Sequence, residues 1–489
     1  MKSVPKRVAV TLAVLVMSLA IRRESCAQSV AAQIDAVIST YAANGDFLGS
    51  ALVAGSEGVL FKKGYGSANF EWDILNTPDT KFRLGSITKQ FTSMLIMQLV
   101  QEGKLTLDGK ISDYLPYYPK DKGSRVSIHH LLTHTSGIPS YTGMPTFGEI
   151  ARDPYSPKEF IKFFADSAFE FEPGSQYRYN NSGYFLLGVI IEEVTGKPYA
   201  TVLQERIFGP LGMASSGYDM SGPIIPKRAS GYEWGIDGFV NAGYLDMTLP
   251  YAAGSLYSTV EDLYRWDRAL STEKLLPARF RDRLFEPAIQ TPGGGSYAYG
   301  WSVRYRRFGS MKDSVFVVSH GGGINGFNTL IVRIPKEEIL VVLLNNTGRA
   351  PLGAISEAIL ALLHGGRPGP VRQSLARALT KEIRSDGLSS ALESYEAMKQ
   401  DTAAYVLNES EMNSIGYQYL QSGRQAEAIA IFKLNVEAFP ASSNVYDSLG
   451  EAYMKAGQKE SAIENYEKSI ELDPENTNGI RMLKILKGE

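Results

Sequence analysis

A repeat with a period of 34 residues constrains the C-terminal part of this chain more than any other feature. Two segments match at that period in residue type as well as in spacing, through the pairs Gly416/Gly450, Tyr419/Tyr453, Gly423/Gly457, Ala428/Ala462, Ile429/Ile463, Phe432/Tyr466 and Pro440/Pro474. Small residues at fixed places let paired helices pack closely, and the proline ends each unit. Residues 386–489 are therefore predicted to form helix–turn–helix repeats. A stable stack needs roughly three units, so the upstream helices or the first domain are expected to complete it.

The preceding part of the chain is predicted to be an α+β domain, because strand-like runs lie at its two ends and helical patches fill its middle. The runs that predict strands are Leu48–Ala54, Val59–Tyr65, Tyr299–Tyr305, Ser314–Ser319, Phe327–Ile334 and Ile339–Asn345. An antiparallel sheet of about five strands is the natural expectation. An apolar helix over Gly353–His364 closes the domain, and the Gly- and Pro-rich run Gly365–Pro370 predicts a linker.

A serine and a lysine three residues apart, Ser86 and Lys89, stand at the start of a long apolar-periodic run. Positions i and i+3 share one face of a helix, so the amine is predicted to lie beside the hydroxyl. A serine hydroxyl needs a base within hydrogen-bond reach to attack at neutral pH, and a helix N-terminus favours the neutral amine and a developing alkoxide. The same spacing recurs at Ser3–Lys6 and Ser271–Lys274, where no long buried helix follows.

Two further motifs carry residue types that suit the same chemistry. Tyr179 and Asn181 lie in a predicted loop before a helix that begins near Gly183. A tyrosinate beside an ammonium is a base, and an amide bonds both to a substrate and to a lysine. His320 is followed by three glycines directly after a strand-like run, where a ligand can approach the backbone closely. Taken alone, the first motif is better explained by a tyrosine that only packs, and the second by a glycine-rich turn with a surface histidine.

Taken together, the motifs resemble those of the serine β-lactamase and penicillin-binding-protein superfamily, and most closely its class C-like branch of carboxypeptidases, β-lactamases, aminopeptidases and esterases. The resemblance covers roughly residues 30–365 and is carried by the segments Phe82–Lys89, Ile128–Ile138, Glu172–Gly188, Ala253–Thr259 and His320–Gly323. It implies a β-lactamase-like fold, with an antiparallel sheet flanked by helices and a helical layer. The C-terminal repeats resemble the tetratricopeptide type.

The resemblance also implies a role for each site residue. Ser86 would be the acylated nucleophile, and Lys89 would take or share its proton. Tyr179 would be the general base for acylation and deacylation. Asn181 would orient the substrate amide and Lys89. The substrate-binding set is completed by His320, Gly322 and Gly323, with the backbone N–H groups of Ser86 and Gly323 forming an oxyanion hole.

His320 stands where many relatives carry a lysine, and a histidine has a less certain charge at neutral pH. Binding of a substrate carboxylate is expected to be weaker for that reason, so a peptidase or esterase is favoured over a dedicated β-lactamase. His130 and His134 have a zinc-compatible spacing, but the stretch lacks the glutamate and the third ligand of a metal site. No metal and no cofactor are predicted.

The N-terminus is predicted to be a secretory signal peptide over residues 1–27. Basic residues precede an apolar core over Val8–Ile21, which is short for a span of roughly 20 residues. The alternatives are an uncleaved anchor and, more weakly, a lipoprotein through Cys26, the one cysteine of the chain. The predicted division is then a hydrolase domain at 28–366, a linker or helix at 367–385 and the repeats at 386–489. The protein is expected to be periplasmic or secreted.

The first functional hypothesis is a secreted serine hydrolase that acts through an acyl-enzyme on D-Ala-type peptides, β-lactam-like amides or small esters. Its repeats would bind a protein partner or a second copy of the chain. The alternative is a catalytically silent ligand-binding or sensor protein whose repeats recruit a partner. A net charge of −2 gives no reason to expect nucleic acid as a partner.

Overall fold

The computed structural model describes residues 30–489 and divides them into two compact units. The first unit runs up to Glu233 and resumes over Asn241–Gly369, and the second comprises Trp234–Val240 and Pro370–Glu489. The predicted signal peptide lies outside the described residues. Within residues 30–489, no helix is both long and apolar enough to cross a membrane.

The centre of the first unit is an antiparallel sheet of eight strands. In chain order these are β1 (Gly49–Gly55), β2 (Gly58–Tyr65), β3 (Ile289–Gln290), β4 (Ser296–Tyr297), β5 (Ser302–Arg306), β6 (Val315–Ile324), β7 (Phe327–Ile334) and β8 (Ile339–Asn345). Their order in the sheet is β3-β4-β5-β6-β7-β8-β1-β2. The first and last segments of the domain therefore meet in the middle of the sheet, where β1 pairs with β8.

The central sheet has eight strands, where about five were expected. The long strands β1, β2, β7 and β8 begin and end within one residue of the predicted runs. The extra strands include β3 and β4, which are two residues long and too short to show an alternating pattern. Strand β6 extends to Ile324, so the glycines after His320 lie inside a strand and not beyond its end.

Helices cover the sheet and form a separate layer in the first unit. The long ones are α1 (residues 30–43), α2 (Thr88–Gln101), α3 (Asn181–Thr195), α4 (Val260–Ala269) and α5 (Leu352–Leu363). Short helices connect them at Ile111–Tyr114, Lys120–Gly123, Ile128–Leu132, Phe147–Ile150, Pro157–Ile161, Tyr199–Leu203, Gly209–Leu211, Tyr251–Gly254 and Ala278–Arg281. Helices α2 and α3 are buried along most of their length. Helix α3 is apolar over most of its surface for that reason, whereas α2 also buries polar side chains such as Thr92, which donates to the Ala252 carbonyl.

Small two- and three-stranded sheets complete the first unit around its helical layer. Their strands are Ser67–Asn69, Ile74–Leu75, Phe82–Arg83, Gly217–Tyr218 and Leu256–Ser258. Phe82–Arg83 pairs with Leu256–Ser258, and the Leu84 N–H donates to the Leu256 carbonyl. This pairing fixes the chain immediately before the predicted nucleophile.

The second unit is helical, as the 34-residue period predicts. Its helices are α6 (Leu375–Asp386), α7 (Leu388–Gln400), α8 (Glu409–Gln421), α9 (Gln425–Ala438), α10 (Ser443–Lys455), α11 (Lys459–Leu472) and α12 (Thr477–Lys487). Gly416 of α8 lies against the ring of Phe432, and Gly450 of α10 lies against the ring of Tyr466 one period later. The glycine at this repeating position therefore leaves room for the aromatic ring of the partner helix to pack against the backbone.

Upstream helices and a hairpin complete this helical stack. Helices α6 and α7 contribute Leu379 and Tyr395 to its apolar core, as the sequence analysis expected for the upstream segment. The hairpin over Trp234–Val240 was not anticipated, and it adds Ile236 to the same core. The Trp234 carbonyl accepts a hydrogen bond from Gln418, at 3.3 Å. A hairpin from the middle of the sequence is thus part of the repeat unit.

Candidate active site

Ser86 lies in a single turn of 3-10 helix, Gly85–Ile87, that leads directly into α2. Gly85 has a φ of 54°, a conformation that glycine adopts at little cost. A Cβ atom at Gly85 would also lie 2.9 Å from the backbone nitrogen of Gly323 on β6. The turn therefore packs directly against the glycine-rich part of the strand, and Ser86 is left half-buried at the cleft.

Lys89 is fully buried one turn further along and makes three hydrogen bonds. Its Nζ lies 3.0 Å from Ser86 Oγ, 2.9 Å from Asn181 Oδ1 and 2.9 Å from the carbonyl oxygen of Ala253. The last two atoms can only accept. When the amine is neutral, its two N–H groups therefore point to Asn181 and Ala253, and its lone pair faces the Ser86 hydroxyl.

The electrostatics of the site favour that neutral state. Burial holds the pKa of Lys89 well below its usual value, because a desolvated ammonium is disfavoured. Within the described residues, no acidic side chain is among its hydrogen-bond partners. The arrangement can thus accept the proton of Ser86 near neutral pH.

Tyr179 and Asn181 approach Ser86 from the start of α3. Asn180 caps this helix by accepting a hydrogen bond from the Gly183 N–H, so the helix begins at Asn181, two residues earlier than predicted. Burial raises the pKa of the Tyr179 hydroxyl, and the neighbouring Ser86 lowers that pKa by a smaller amount. A phenol that keeps its proton at neutral pH can donate it to a leaving group, while the general-base role of Tyr179 stays a prediction.

His134 fixes the position of Tyr179. Its Nδ1 accepts the backbone N–H of Asn180, at 3.1 Å, and its ring centroid lies 4.3 Å from that of Tyr179. The residue is buried, and burial is the main reason that its pKa is held well below the usual range. His130 has a different partner, since its Nδ1 accepts the Ser127 N–H. Within residues 30–489, no cluster of metal-ligating side chains is present.

His320 is neutral and is bonded to the protein at both ring nitrogens. Nδ1 lies 2.6 Å from the Gly321 carbonyl and therefore donates to it, and Nε2, at 2.9 Å, accepts from the Tyr297 hydroxyl. Burial is the main reason that the pKa of His320 is lowered to about 4. The sequence analysis placed His320 in the substrate-binding set with an uncertain charge, and the structure uses both of its ring nitrogens within the protein.

The glycines after His320 bring β6 against the nucleophile turn. The Leu84 carbonyl accepts a hydrogen bond from Thr329 Oγ1, at 2.7 Å, and Gly322 faces the same oxygen. Ser86 and Gly323 both line a cavity of about 150 Å³. The two residues whose backbone N–H groups are predicted to form the oxyanion hole therefore line the same cavity.

We expect Gly322→Ala to lower both activity and stability. A Cβ atom there would overlap the Leu84 carbonyl, so the turn that holds Ser86 must move, and a displacement of about 1 Å costs roughly 100-fold in rate. Gly321→Ala is the matched control, because its Cβ atom would meet only the Thr329 carbonyl at 3.6 Å. Ester hydrolysis rates and melting temperatures of both variants test this, and equal losses in the two would contradict it.

All seven residues singled out in the sequence meet in this one region, but several contacts in it had not been foreseen. The Ala253 carbonyl and His134 both lie in segments that carried the resemblance, so a signal for them existed, although their roles did not follow from it. Tyr297 lies on the two-residue strand β4 and had no signal in the sequence. Thr142, which accepts a hydrogen bond from Asn181 Nδ2 at 3.1 Å, had none either.

Comparison with known proteins agrees with this geometry. A family model described as Beta-lactamase matches residues 34–365, and a tetratricopeptide repeat model matches residues 443–476. The chain is 31% identical over 328 residues to PbpX of Bacillus subtilis (strain 168), a protein named for penicillin binding, with 67% of this chain and 78% of that protein covered.

Two solved structures of similar fold extend the comparison. The octameric penicillin-binding protein homologue from Pyrococcus abyssi is 31% identical with a TM-score of 0.59, covering 69% of this chain and 78% of its own. A D-stereospecific amidohydrolase from Streptomyces sp. is 25% identical with a TM-score of 0.57, covering 67% of this chain and 98% of its own. The chain therefore belongs to the Beta-lactamase family, within the superfamily of serine β-lactamases and penicillin-binding proteins, and carries a tetratricopeptide repeat C-terminal to that domain.

Proposed function

We propose that this protein is an exported serine hydrolase that forms an acyl-enzyme on Ser86. Its substrates are D-Ala-type peptides, β-lactam-like amides or small esters, and carboxypeptidase- or esterase-like activity is favoured over dedicated β-lactam hydrolysis. The observation that carries the proposal is the set of three hydrogen bonds made by Lys89, because two of its partners accept only and leave the third direction to Ser86. The amidohydrolase among the similar structures supports amides as substrates.

In the proposed reaction, Lys89 takes the proton of Ser86 while Oγ attacks the carbonyl carbon. The oxyanion that forms lies against the N–H groups of Ser86 and Gly323. The C–O or C–N bond then breaks, and the leaving group takes the proton of the Tyr179 hydroxyl. The Lys89 ammonium returns a proton to Tyr179. Water releases the acyl group by the same steps in the opposite direction.

We expect Tyr179→Phe to reduce turnover by more than about 100-fold, the usual scale for a group that transfers a proton in the transition state. The hydroxyl is lost while the ring, which packs on His134, is kept. The measurement is kcat with two esters of the same acid whose leaving groups differ in basicity. The loss should be larger for the more basic leaving group, which needs the proton more. An unchanged kcat would show that the Tyr179 hydroxyl takes no part in the reaction.

Covalent labelling tests the proposed function itself. The folded protein is treated with a fluorescent fluorophosphonate and, separately, with a fluorescent penicillin, and the modified peptide is identified by mass spectrometry. Modification of Ser86 by either probe is the expected result. If neither probe modifies the folded protein, the hydrolase proposal fails, and the catalytically silent binding protein becomes the better account.

The tetratricopeptide unit is proposed to bind a protein partner or a second copy of the chain. Repeats of this kind present an extended surface built from neighbouring helices. The catalytic residues all lie in the first unit, so the repeats are proposed to recruit or position the enzyme and not to supply its chemistry.

A further inference from the structure

Among residues 30–489, no charged side chain lines the 150 Å³ cavity beside Ser86. Its aliphatic and aromatic lining residues are Tyr141, Phe147, Leu245, Pro250, Ala253 and Ile324. About half of this lining is aliphatic or aromatic. A cavity of this size and character suits a short apolar acyl group.

Lys89, the cation nearest to the nucleophile, is not available to a substrate carboxylate. Its Nζ is surrounded by Ser86 Oγ, Asn181 Oδ1 and the Ala253 carbonyl, and the side chain is fully buried. A carboxylate could reach it only by displacing one of these acceptors. Displacing the amide or the carbonyl would leave a buried polar group without its partner, which is costly.

His320 is equally closed to a substrate carboxylate. Its one N–H bond is used by the Gly321 carbonyl, and its other nitrogen accepts from Tyr297. A carboxylate next to this ring would face Nε2, which already accepts a hydrogen bond from Tyr297, and would find no free N–H group on the ring. The two exposed positions that follow on β6, Gly321 and Gly323, have no side chains to supply a donor instead.

We propose that this site selects uncharged esters and amides with a short acyl group, and discriminates against substrates whose leaving group carries a carboxylate close to the scissile bond. Among the proposed activities this favours ester and simple amide hydrolysis over carboxypeptidase activity, because the amino acid that a carboxypeptidase releases carries such a carboxylate. The selection rests on the proposed function, because it is a property of the same acyl-enzyme site. Its physical basis is desolvation. A carboxylate that loses water in the cleft gains neither an ion pair nor a hydrogen bond from His320 in return. The feature that decides the specificity is the Tyr297–His320–Gly321 hydrogen-bond chain.

Two acetate esters that differ by one charge test the inference. Phenyl acetate and 3-carboxyphenyl acetate give the same acetyl-enzyme, so only acylation differs between them. After correction for their rates of hydrolysis by hydroxide, kcat/KM is expected to be at least about tenfold higher for phenyl acetate, since an uncompensated charge costs more than the 1.4 kcal/mol that a factor of ten represents. Equal values, or a preference for the carboxylate, would overturn the inference.

Two substitutions, His320→Lys and His320→Gln, test whether His320 causes the preference for phenyl acetate. A glutamine can accept from Tyr297 and donate to the Gly321 carbonyl, so the preference for phenyl acetate should remain. A lysine adds an ammonium, and the preference should fall at least about tenfold. If the lysine variant does not fold, the wild-type ratio still decides. A lysine variant that folds and keeps the wild-type ratio would contradict the role of His320.

Failure of the inference and failure of the proposed function have different signatures. If fluorophosphonate modifies Ser86 and the carboxylated ester is hydrolysed as well as its neutral partner, only the substrate preference is wrong. If Ser86 is not modified and neither ester is hydrolysed by the folded protein, both are wrong. The preference should also stay constant between about pH 5.5 and 8, because a histidine with its usual pKa would titrate in that range and His320 does not.

Discussion

Replacing Ser86 with alanine is expected to reduce kcat for ester hydrolysis by about 10⁵-fold or more and to abolish labelling by fluorophosphonate. Residues that act as one catalytic unit each cost nearly the whole rate enhancement when removed. In the proposed reaction Ser86 is the member of this unit that carries the acyl group. Loss of the Ser86 hydroxyl removes one hydrogen bond of Lys89. The free energy of unfolding should therefore fall only slightly, by about 1 kcal/mol.

Ser271→Ala is the matched control for this substitution. Ser271 and Lys274 have the same spacing as Ser86 and Lys89, but both side chains are exposed in a turn. We expect wild-type activity and full labelling from this variant. If Ser86→Ala retained labelling, or if Ser271→Ala lost it, the nucleophile would have been placed at the wrong serine.

The second large effect is expected from Lys89→Met, which should lower the rate of acylation by about 10³-fold or more. A methionine fills nearly the same buried space but has no lone pair for the Ser86 proton, and removal of a general base commonly costs this much. The measurement is the burst rate with p-nitrophenyl acetate in a stopped-flow instrument. A loss of less than about tenfold would show that another group takes the proton.

Lys89→Arg separates a basic role from an electrostatic one. A guanidinium keeps its positive charge and cannot be deprotonated in a protein. If Lys89 acts as a base, the arginine variant should be about as inactive as the methionine variant. Substantial activity in the arginine variant would show that positive charge alone is needed.

The lowered pKa of Lys89 also links stability to pH. In the unfolded chain this lysine binds a proton up to its usual pKa, whereas the folded chain releases it at a lower pH. Between the two values the unfolded state holds one more proton, so stability rises with pH. The free energy of unfolding of the wild type, relative to Lys89→Met, should therefore increase from about pH 7 to about pH 9. A constant difference would mean that Lys89 stays protonated in the fold.

Much of the fold was predictable because each element carries its own pattern. The contact between Gly416 and Phe432 recurs 34 residues later between Gly450 and Tyr466. Each of these contacts packs one helix on the next within a single repeat, so the sequence pattern predicts it. The runs that became β7 and β8 are apolar because the strands are buried. The sequence did not predict the shortest strands or the contacts between segments that are far apart in the chain. Strands of two residues have no period, and nothing local indicated that Trp234–Val240 belongs to the helical unit.

The sequence by itself determined the candidate chemistry. Ser86, Lys89, Tyr179, Asn181 and the His320 segment are identifiable from residue type, spacing and flanks, because each lies on or beside an element whose local pattern is clear. Their order along the chain also carried the family resemblance, which the comparisons confirm.

Only the tertiary structure decided the surroundings that set the protonation of these groups. Lys89 is surrounded by acceptors 92 and 164 residues away in the chain, and Tyr297 reaches His320 from another strand. A pKa depends on burial and on partners in space, and neither is written in the local sequence. The sequence therefore indicates a histidine of uncertain charge, whereas the packing around His320 bonds both of its ring nitrogens to the protein.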